Sequence, residues 1–363
     1  MSRRFHSGAV AALVLALGIG LLELAEQPAE LSPPAPPTLP AIGDSEEIED
    51  CDRFASPSGS DLGPGRGGLR HPYRSVPRLL RSLRGGQTGC LEPGIYRHGG
   101  VARITRPGTV LRGLGPGPVQ IHSPIWIMPG ATGAQLLGVS LTSRNREYPE
   151  PLKVQASQAR VAGNQITGSM NTICVLIGSQ HRTHGVTIEG NQISHCGRHG
   201  KFDHLIYVQN TIGTTIRWNL LTDNPGGWAV HLYPNADDTL VEHNVIDHNR
   251  GGVIFAGDDG DTSDRNVVRD NAITYSGPRW NIESSWSDDS TGTDNLAYSN
   301  CLFSRAAGGP AGVGEANGFA AEDNFVLSES PYVDRVRGDY AFRAESPCRV
   351  LVGDVAQATV AGR

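Results

Sequence analysis

Apolar and polar positions alternate along residues 185–194 (Gly-Val-Thr-Ile-Glu-Gly-Asn-Gln-Ile-Ser) and again along 238–247 (Asp-Thr-Leu-Val-Glu-His-Asn-Val-Ile-Asp). A period of two marks a strand with one buried and one exposed face. Each alternation is centred on an asparagine. Asn164, Asn191, Asn219, Asn244, Asn271, Asn300 and Asn324 follow one another at intervals of 27, 28, 25, 27, 29 and 24 residues. Three residues before them stand Val161, Ile188, Ile216, Val241, Val268, Ala297 and Ala321, and two after stand Ile166, Ile193, Leu221, Ile246, Ile273, Leu302 and Val326. Val139, flanked by Leu136 and Leu141, repeats the frame 25 residues before Asn164 without the asparagine. Such a period means units that bury their apolar faces only against their neighbours. No unit has room for a capped helix between its strands, and the leucine ladder of a leucine-rich repeat is missing. Short strands joined by Gly, Asn and Asp turns predict coils of three strands, about 25–28 residues each, stacked in parallel at about 4.8 Å. At a corner between strands, the asparagine amide would bond its equivalent on the next coil.

The repeat resembles that of the right-handed parallel β-helix family, the fold of pectate lyases and many secreted polysaccharide-active proteins. The resemblance covers roughly residues 51–350. It rests on the N-x-I/V repeat, an opening segment Cys51–Tyr96 with Ala-Ser-Pro-Ser-Gly-Ser-Asp and Leu-Glu-Pro-Gly-Ile-Tyr, and a closing Asp-Tyr-Ala-Phe-Arg-Ala-Glu-Ser-Pro-Cys. It implies an all-β, single-domain right-handed parallel β-helix. It does not choose a reaction, because lyases, hydrolases, epimerases and non-catalytic adhesins share this fold.

The ends carry a different pattern. A basic start and the apolar run Ala9–Leu22 are too short for a membrane span of about 20 residues and suit a secretory segment. Since no A-x-A cleavage site follows, an uncleaved anchor stays open. The expected organisation is a signal peptide or anchor at 1–27, a Pro-rich and acidic linker at 28–50, the β-helix at 51–350 and a tail at 351–363. The expected location is extracellular, either secreted or anchored at the cell surface, with membrane contact only through that anchor. Six cysteines, an even count in an exported chain, make disulfides plausible among fifteen possible pairings. The N-terminal pair Cys51–Cys90 is the leading one. With net charge −6 and only Lys153 and Lys201 as lysines, the basic footprint of a nucleic-acid binder is absent. A polysaccharide or cell-envelope glycan is the expected partner.

The second strands of four coils align as Thr172–Ile177, His204–Gln209, Trp228–Tyr233 and Gly251–Ala256. With Ile206, Val208, Val230, Leu232, Val253 and Phe255 inward, Tyr207, His231 and Ile254 form one outward column, and Gln209, Tyr233 and Ala256 the next. Tyr207 and His231 would then be neighbours about 5 Å apart, an acid/base pair in which the histidine titrates near neutrality. The competing reading is a polar surface stripe. The insertion 195–204 (His-Cys-Gly-Arg-His-Gly-Lys-Phe-Asp-His) lengthens the coil carrying Tyr207, and insertions on repeat scaffolds map to the binding side. Tyr207, His231, His204 and Lys201 are therefore the candidate catalytic residues. Arg198, Gln209, Trp228 and Tyr233 are the candidate substrate contacts. Arg198 or Lys201 would neutralise a uronate carboxylate, Asp203 would orient His204, and Trp280 and Trp286 would extend the groove or serve as packing. His243 and His248 read as solvated turn residues.

Asp258, Asp259 and Asp261 lie in an acidic turn that could hold calcium through hard oxygen ligands, although the spacing is not that of an EF-hand. The expected activity is lyase or C5-epimerase chemistry on an acidic polysaccharide. Two alternatives stand beside it. One is a glycoside hydrolase using Asp258 or Asp259. The other is a non-enzymatic glycan-binding envelope protein.

Overall fold

The structure is a computed structural model, and it describes residues 49–353 and 355 except 65, 116, 169–171, 198–200, 288, 305–311 and 315. The expected leader and nearly all of the linker, as well as the end of the tail, lie outside the described residues. The rest winds as a right-handed stack of three-stranded coils. One face is an 11-stranded sheet. The other two faces join at the corners into a 17-stranded sheet. Strand pairing along the stack is parallel and in register, as in Thr187–Glu189 on Thr215–Arg217 and Gln192–Ser194 on Leu220–Thr222. The repeat positions Ile188, Ile216, Val241 and Val268 line one inner wall, and Ile166, Ile193, Leu221 and Ile273 another, all fully buried. Each such side chain contributes about 1.5–3 kcal/mol by leaving water. At the last coil the pattern runs out, and Ala321 and Val326 are exposed.

The asparagines form the expected ladder, and it is denser than a chain of side-chain pairs. Asn191 Nδ2 donates to Asn219 Oδ1 at 3.0 Å and to the Val161 carbonyl at 3.0 Å, while the Asn191 backbone N–H also donates to Asn219 Oδ1 at 3.0 Å. Asn164, Asn219, Asn244, Asn271 and Asn300 repeat this scheme with their neighbours. Both amide hydrogens and both oxygen lone pairs are thereby used. The ladder opens at Val139, whose N–H donates to Asn164 Oδ1.

The residue before Val139 and before each asparagine has a left-handed backbone, with φ between 48° and 66° at Gly138, Gly163, Gly190, Trp218, His243, Asp270, Ser299 and Asp323. Glycine takes this conformation freely and the others at a cost, so the ladder holds the corner open against local preference. At two successive corners the left-handed residues stack ring on ring, Trp218 on His243, with centroids 4.4 Å apart and planes at 4°. His243 is therefore not solvated: it is buried and bonds the Val352 carbonyl. His248 is exposed as expected, and it pairs with Asp223 at 2.8 Å.

Both ends of the core are covered. The helix Val76–Ser82, capped by Ser75 and started by Pro77, lays Val76, Leu79 and Leu80 into the N-terminal core. At the other end the segment 332–342 wraps back onto the stack, where Arg335 pairs at 2.7 Å with the fully buried carboxylate of Asp247. The helix Cys348–Leu351 crosses the expected boundary at 350, and Val352 and Val355 pack beside it. Disulfides Cys51–Cys90, Cys174–Cys196 and Cys301–Cys348 join cysteines with Cα atoms 5.5–5.8 Å apart, which leaves no free cysteine.

Replacing Asn219 or Asn244 by Ala leaves buried backbone groups unpaired and should cost about 1–3 kcal/mol each in urea unfolding. Asn324, half-exposed at the last rung, should cost clearly less. Equal, negligible midpoint shifts at all three would contradict the ladder. Thiol titration of the unfolded, unreduced protein should find no free thiol, whereas six would contradict the disulfides.

Candidate active site

The strands Ile206–Ile212, Leu220–Leu232 and Val245–Gly257 place their apolar residues as expected: Ile206, Val208, Val230, Leu232, Val253 and Phe255 are fully buried. Register puts Tyr207 beside His231 and His231 beside Ile254. The Tyr207 and His231 rings lie 5.1 Å apart, edge to face. Tyr233, two residues along, stacks on His231 at 5.4 Å and faces Tyr207 at 6.3 Å. Gln209 lies beside Gly178 in the second outward column.

His204, at the end of the insertion, is not on the surface. It folds under the pair, 1% exposed, with its ring parallel to Tyr207 at 5.4 Å and edge-on to His231 at 4.4 Å. Two contacts hold it there. Asn224 Nδ2 donates to the Asp203 carbonyl at 2.8 Å, and Asn224 Oδ1 accepts from the Gly197 N–H, so both ends of the insertion are tied to the next coil. The backbone must also approach closely, since a Cβ on Gly227 would lie 2.1 Å from the Asp203 carbonyl oxygen and 2.9 Å from His204 Nδ1.

The hydrogen bonds fix the histidine tautomers. The backbone N–H of Trp228 donates to His204 Nδ1 at 3.3 Å, so the His204 proton sits on Nε2. His204 Nε2 lies 2.8 Å from His231 Nδ1, which must therefore accept, leaving the His231 proton on Nε2. It is Trp228 N–H, not the Asp203 carboxylate, that orients His204. Burial pushes His231 down to about 3, and burial followed by the neighbouring His231 pushes His204 well below the usual range. Both rings are thus neutral at ordinary pH, and His231 offers an N–H rather than a proton that titrates near neutrality.

Acidic groups flank the rings. Tyr233 donates its hydroxyl proton to Asp258, and burial with this carboxylate pushes its phenol up to about 12. Burial also raises Tyr207, with Tyr233 and Asp258 adding to the effect, so Tyr207 is a protonated phenol. On the other flank Trp228 Nε1 donates to the buried carboxylate of Glu283 at 2.5 Å, and Arg279 holds the second oxygen at 2.5 Å. Arg250 and Arg279 lie 5.9 and 5.7 Å from the Trp228 ring, and the buried Arg250 Nε has no acceptor among the described residues. Gly251 makes room for this indole, since a Cβ there would lie 2.5 Å from Trp228 Cδ1.

The other candidates fall elsewhere. Lys201 lies over the exposed ring of Phe202, its sequence neighbour. Arg198 is outside the described residues. Trp286 donates to the Asn317 carbonyl, and Trp280 packs by Gly314. Asp258 and Asp261 close a tight turn through Asp259, whose φ is 49°. Arg250, Arg279 and Glu283 were missed because their place beside Trp228 follows from coil register, not from sequence proximity.

Residues 139–308 match the family described as periplasmic copper-binding protein (NosD). No curated protein sequence matches the chain. Among solved structures, pectate lyase Pel9A superposes with a TM-score of 0.59 at 10% identity, covering 81% of this chain and 90% of that one. The chain is a right-handed parallel β-helix protein. An alginate lyase from Paenibacillus sp. str. FPU-7 aligns at 11% identity over 69% of this chain and 97% of its own, with a TM-score of 0.40. The periplasmic alginate epimerase AlgG aligns at 12% identity over 73% and 84%, with a TM-score of 0.36. These likenesses are of fold.

The metal expectations meet an unfavourable donor set. Among the described residues of this β-helix, no three His, Cys, Asp or Glu side chains converge as metal ligands. His204 spends both nitrogens on Trp228 and His231, and Asp258 accepts from Tyr233. Neither copper nor calcium is fitted by these groups.

The histidine pair makes stability depend on pH. His231 is depressed in the folded chain and ordinary, near 6.5, in the unfolded one, so the unfolded state takes up the proton first as pH falls. Stability present above about pH 6.5 is lost towards pH 3, by at most about 1.4 kcal/mol per pH unit for this histidine. Urea midpoints for wild type and His231→Gln between about pH 7 and 4.5 should converge as the medium acidifies. Parallel curves would show that His231 is not held neutral.

Proposed function

We propose that this chain is an exported enzyme acting on an acidic polysaccharide, by lyase or C5-epimerase chemistry, in a groove over Tyr207 and His231. The observation that carries the reading is the in-register Tyr207–His231 pair on an outer face, with neutral His204 beneath it and Tyr233 bound to Asp258 beside it. Both reactions start by removing the proton α to a uronate carboxylate. They need a group that stabilises the developing enolate, a base and an acid.

The neutral Nε2–H of His231 and the guanidinium of Arg250, beside Trp228, are the donors for the carboxylate. A neutral imidazole serves here as a fixed hydrogen-bond donor, as in other enolising sites. Tyr233 is the base: its oxygen takes the C5 proton as its own proton passes to Asp258. Tyr207, kept protonated by burial, is the acid. It protonates the leaving glycosidic oxygen in a lyase or returns a proton to the opposite face of C5 in an epimerase. Three disulfides and the periplasmic description of the matching family support export. The fold likeness to pectate lyase Pel9A supports an acidic glycan as the partner.

Pectate, alginate and glycosaminoglycans should be screened by ultraviolet absorbance of the unsaturated uronate, by reducing-end assay and by NMR of epimer content. On the active substrate, Tyr207→Phe and Asp258→Asn should each lower kcat by about 10²–10⁴-fold, and Arg250→Ala should chiefly raise KM. Tyr207→Phe should leave the unfolding midpoint within about 0.5 kcal/mol of wild type. Full activity in both the Tyr207 and Asp258 variants would move the site elsewhere. New reducing ends without unsaturation would favour hydrolysis through Asp258.

A further inference from the structure

We infer that the outward column bearing Tyr207 and His231 continues toward the N terminus as a remote binding stretch for the same polysaccharide chain, built by Arg103, Trp126 and Lys153. This rests on the acidic-glycan reading above.

The column is continuous. Register pairs Arg103 with Trp126, Trp126 with Lys153, Lys153 with Leu176 and Leu176 with Tyr207. At about 4.8 Å per coil, Lys153 lies about 10 Å and Trp126 about 14 Å from Tyr207 along the stack. Trp126 stands between two cations, with Arg103 5.4 Å and Lys153 5.2 Å from its ring. Tyr148 meets its edge at 5.3 Å. Neither cation forms an ion pair with a described residue, and the buried Trp126 N–H has no acceptor among them. Glu147, the sequence neighbour of Tyr148, holds its phenol above the ordinary range.

Charge along the chain agrees with an anionic occupant. Residues 91–160 hold eight Lys and Arg (Arg97, Arg103, Arg106, Arg112, Arg144, Arg146, Lys153, Arg160) against three Glu (Glu92, Glu147, Glu150), a net of +5 in a chain of net −6. A cation–aromatic–cation order at coil spacing suits a chain that presents a carboxylate and an apolar ring face on each sugar, since the indole stacks on the ring while the cations meet the carboxylates. Leu176, nearly buried, forms a flat floor between this stretch and Tyr207.

The test is binding, read apart from turnover. Calorimetric titration with short and long oligogalacturonates and oligomannuronates should show affinity rising with length in the wild type. Trp126→Ala and the double variant Arg103→Ala/Lys153→Ala should lose about tenfold, equivalent to about 1.4 kcal/mol, on long oligomers. Short oligomers and unfolding midpoints should be little changed. Unaltered affinity of both variants, equal affinity for neutral oligosaccharides, or no oligouronate binding by the wild type would overturn the inference. Length-dependent binding lost in these variants, in a chain that turns over none of the uronides, would sustain this stretch and sink only the lyase and epimerase reading.

Discussion

From Val139 onward each coil depends on a corner that holds its shape, and the asparagine amide supplies the restraint. Its two hydrogens and two lone pairs are all committed to the neighbouring coils, joining side chain to side chain and side chain to backbone. The residue before it is forced into a left-handed conformation, even where that residue is Trp218, His243 or Asp270. Backbone strain at these corners persists because the ladder over-determines them. An asparagine rung also sets register, because a slip by one residue would unpair both the amide and the inner apolar face.

The candidate site is a consequence of that register. Tyr207, His231 and Ile254 fall in one column because their strands are locked coil upon coil, and the same lock brings Trp228 to Glu283 and Arg250. Shorter ladders do the local positioning. Asn224 receives the Gly197 N–H and donates to the Asp203 carbonyl, and its own N–H is received by Asn249. The insertion thus turns inward and delivers His204 beneath the outer pair instead of projecting it as a loop. Absent side chains matter as well: Gly227 and Gly251 leave the space that His204 and Trp228 occupy.

Burial changes the chemistry of these groups as much as their position. An exposed Tyr–His neighbour pair would contain a histidine that titrates near neutrality. Here a backbone N–H dictates one tautomer, that tautomer dictates the next, and desolvation keeps both rings uncharged. In the proposed reaction the proton traffic shifts to the phenols, with Tyr233 facing a carboxylate and Tyr207 held protonated. A cationic N-terminal half and an acidic turn at 258–264 give the outer face a gradient of charge that the overall net of −6 conceals.

Periodicity alone settled the coils, their inner walls, the asparagine ladder and the Tyr207–His231 column, because a period-two pattern locked to a repeat leaves one packing that buries every apolar position. Composition carried the even cysteine count and position the Cys51–Cys90 pairing, though not the other two pairings. Only the tertiary structure decided what lies between coils. His204 went under the surface and His243 into a stack with Trp218. Lys201 went to Phe202, and the aspartates at 258–261 formed a turn without converging as metal ligands. Arg250, the Arg279–Glu283 pair and the Arg103–Trp126–Lys153 stretch have no local signature of a site, since the aromatic ring each meets belongs to a residue about a coil or more away. A repeat reports which residues share a column. Hydrogen bonds and burial across columns determine which of them can exchange a proton.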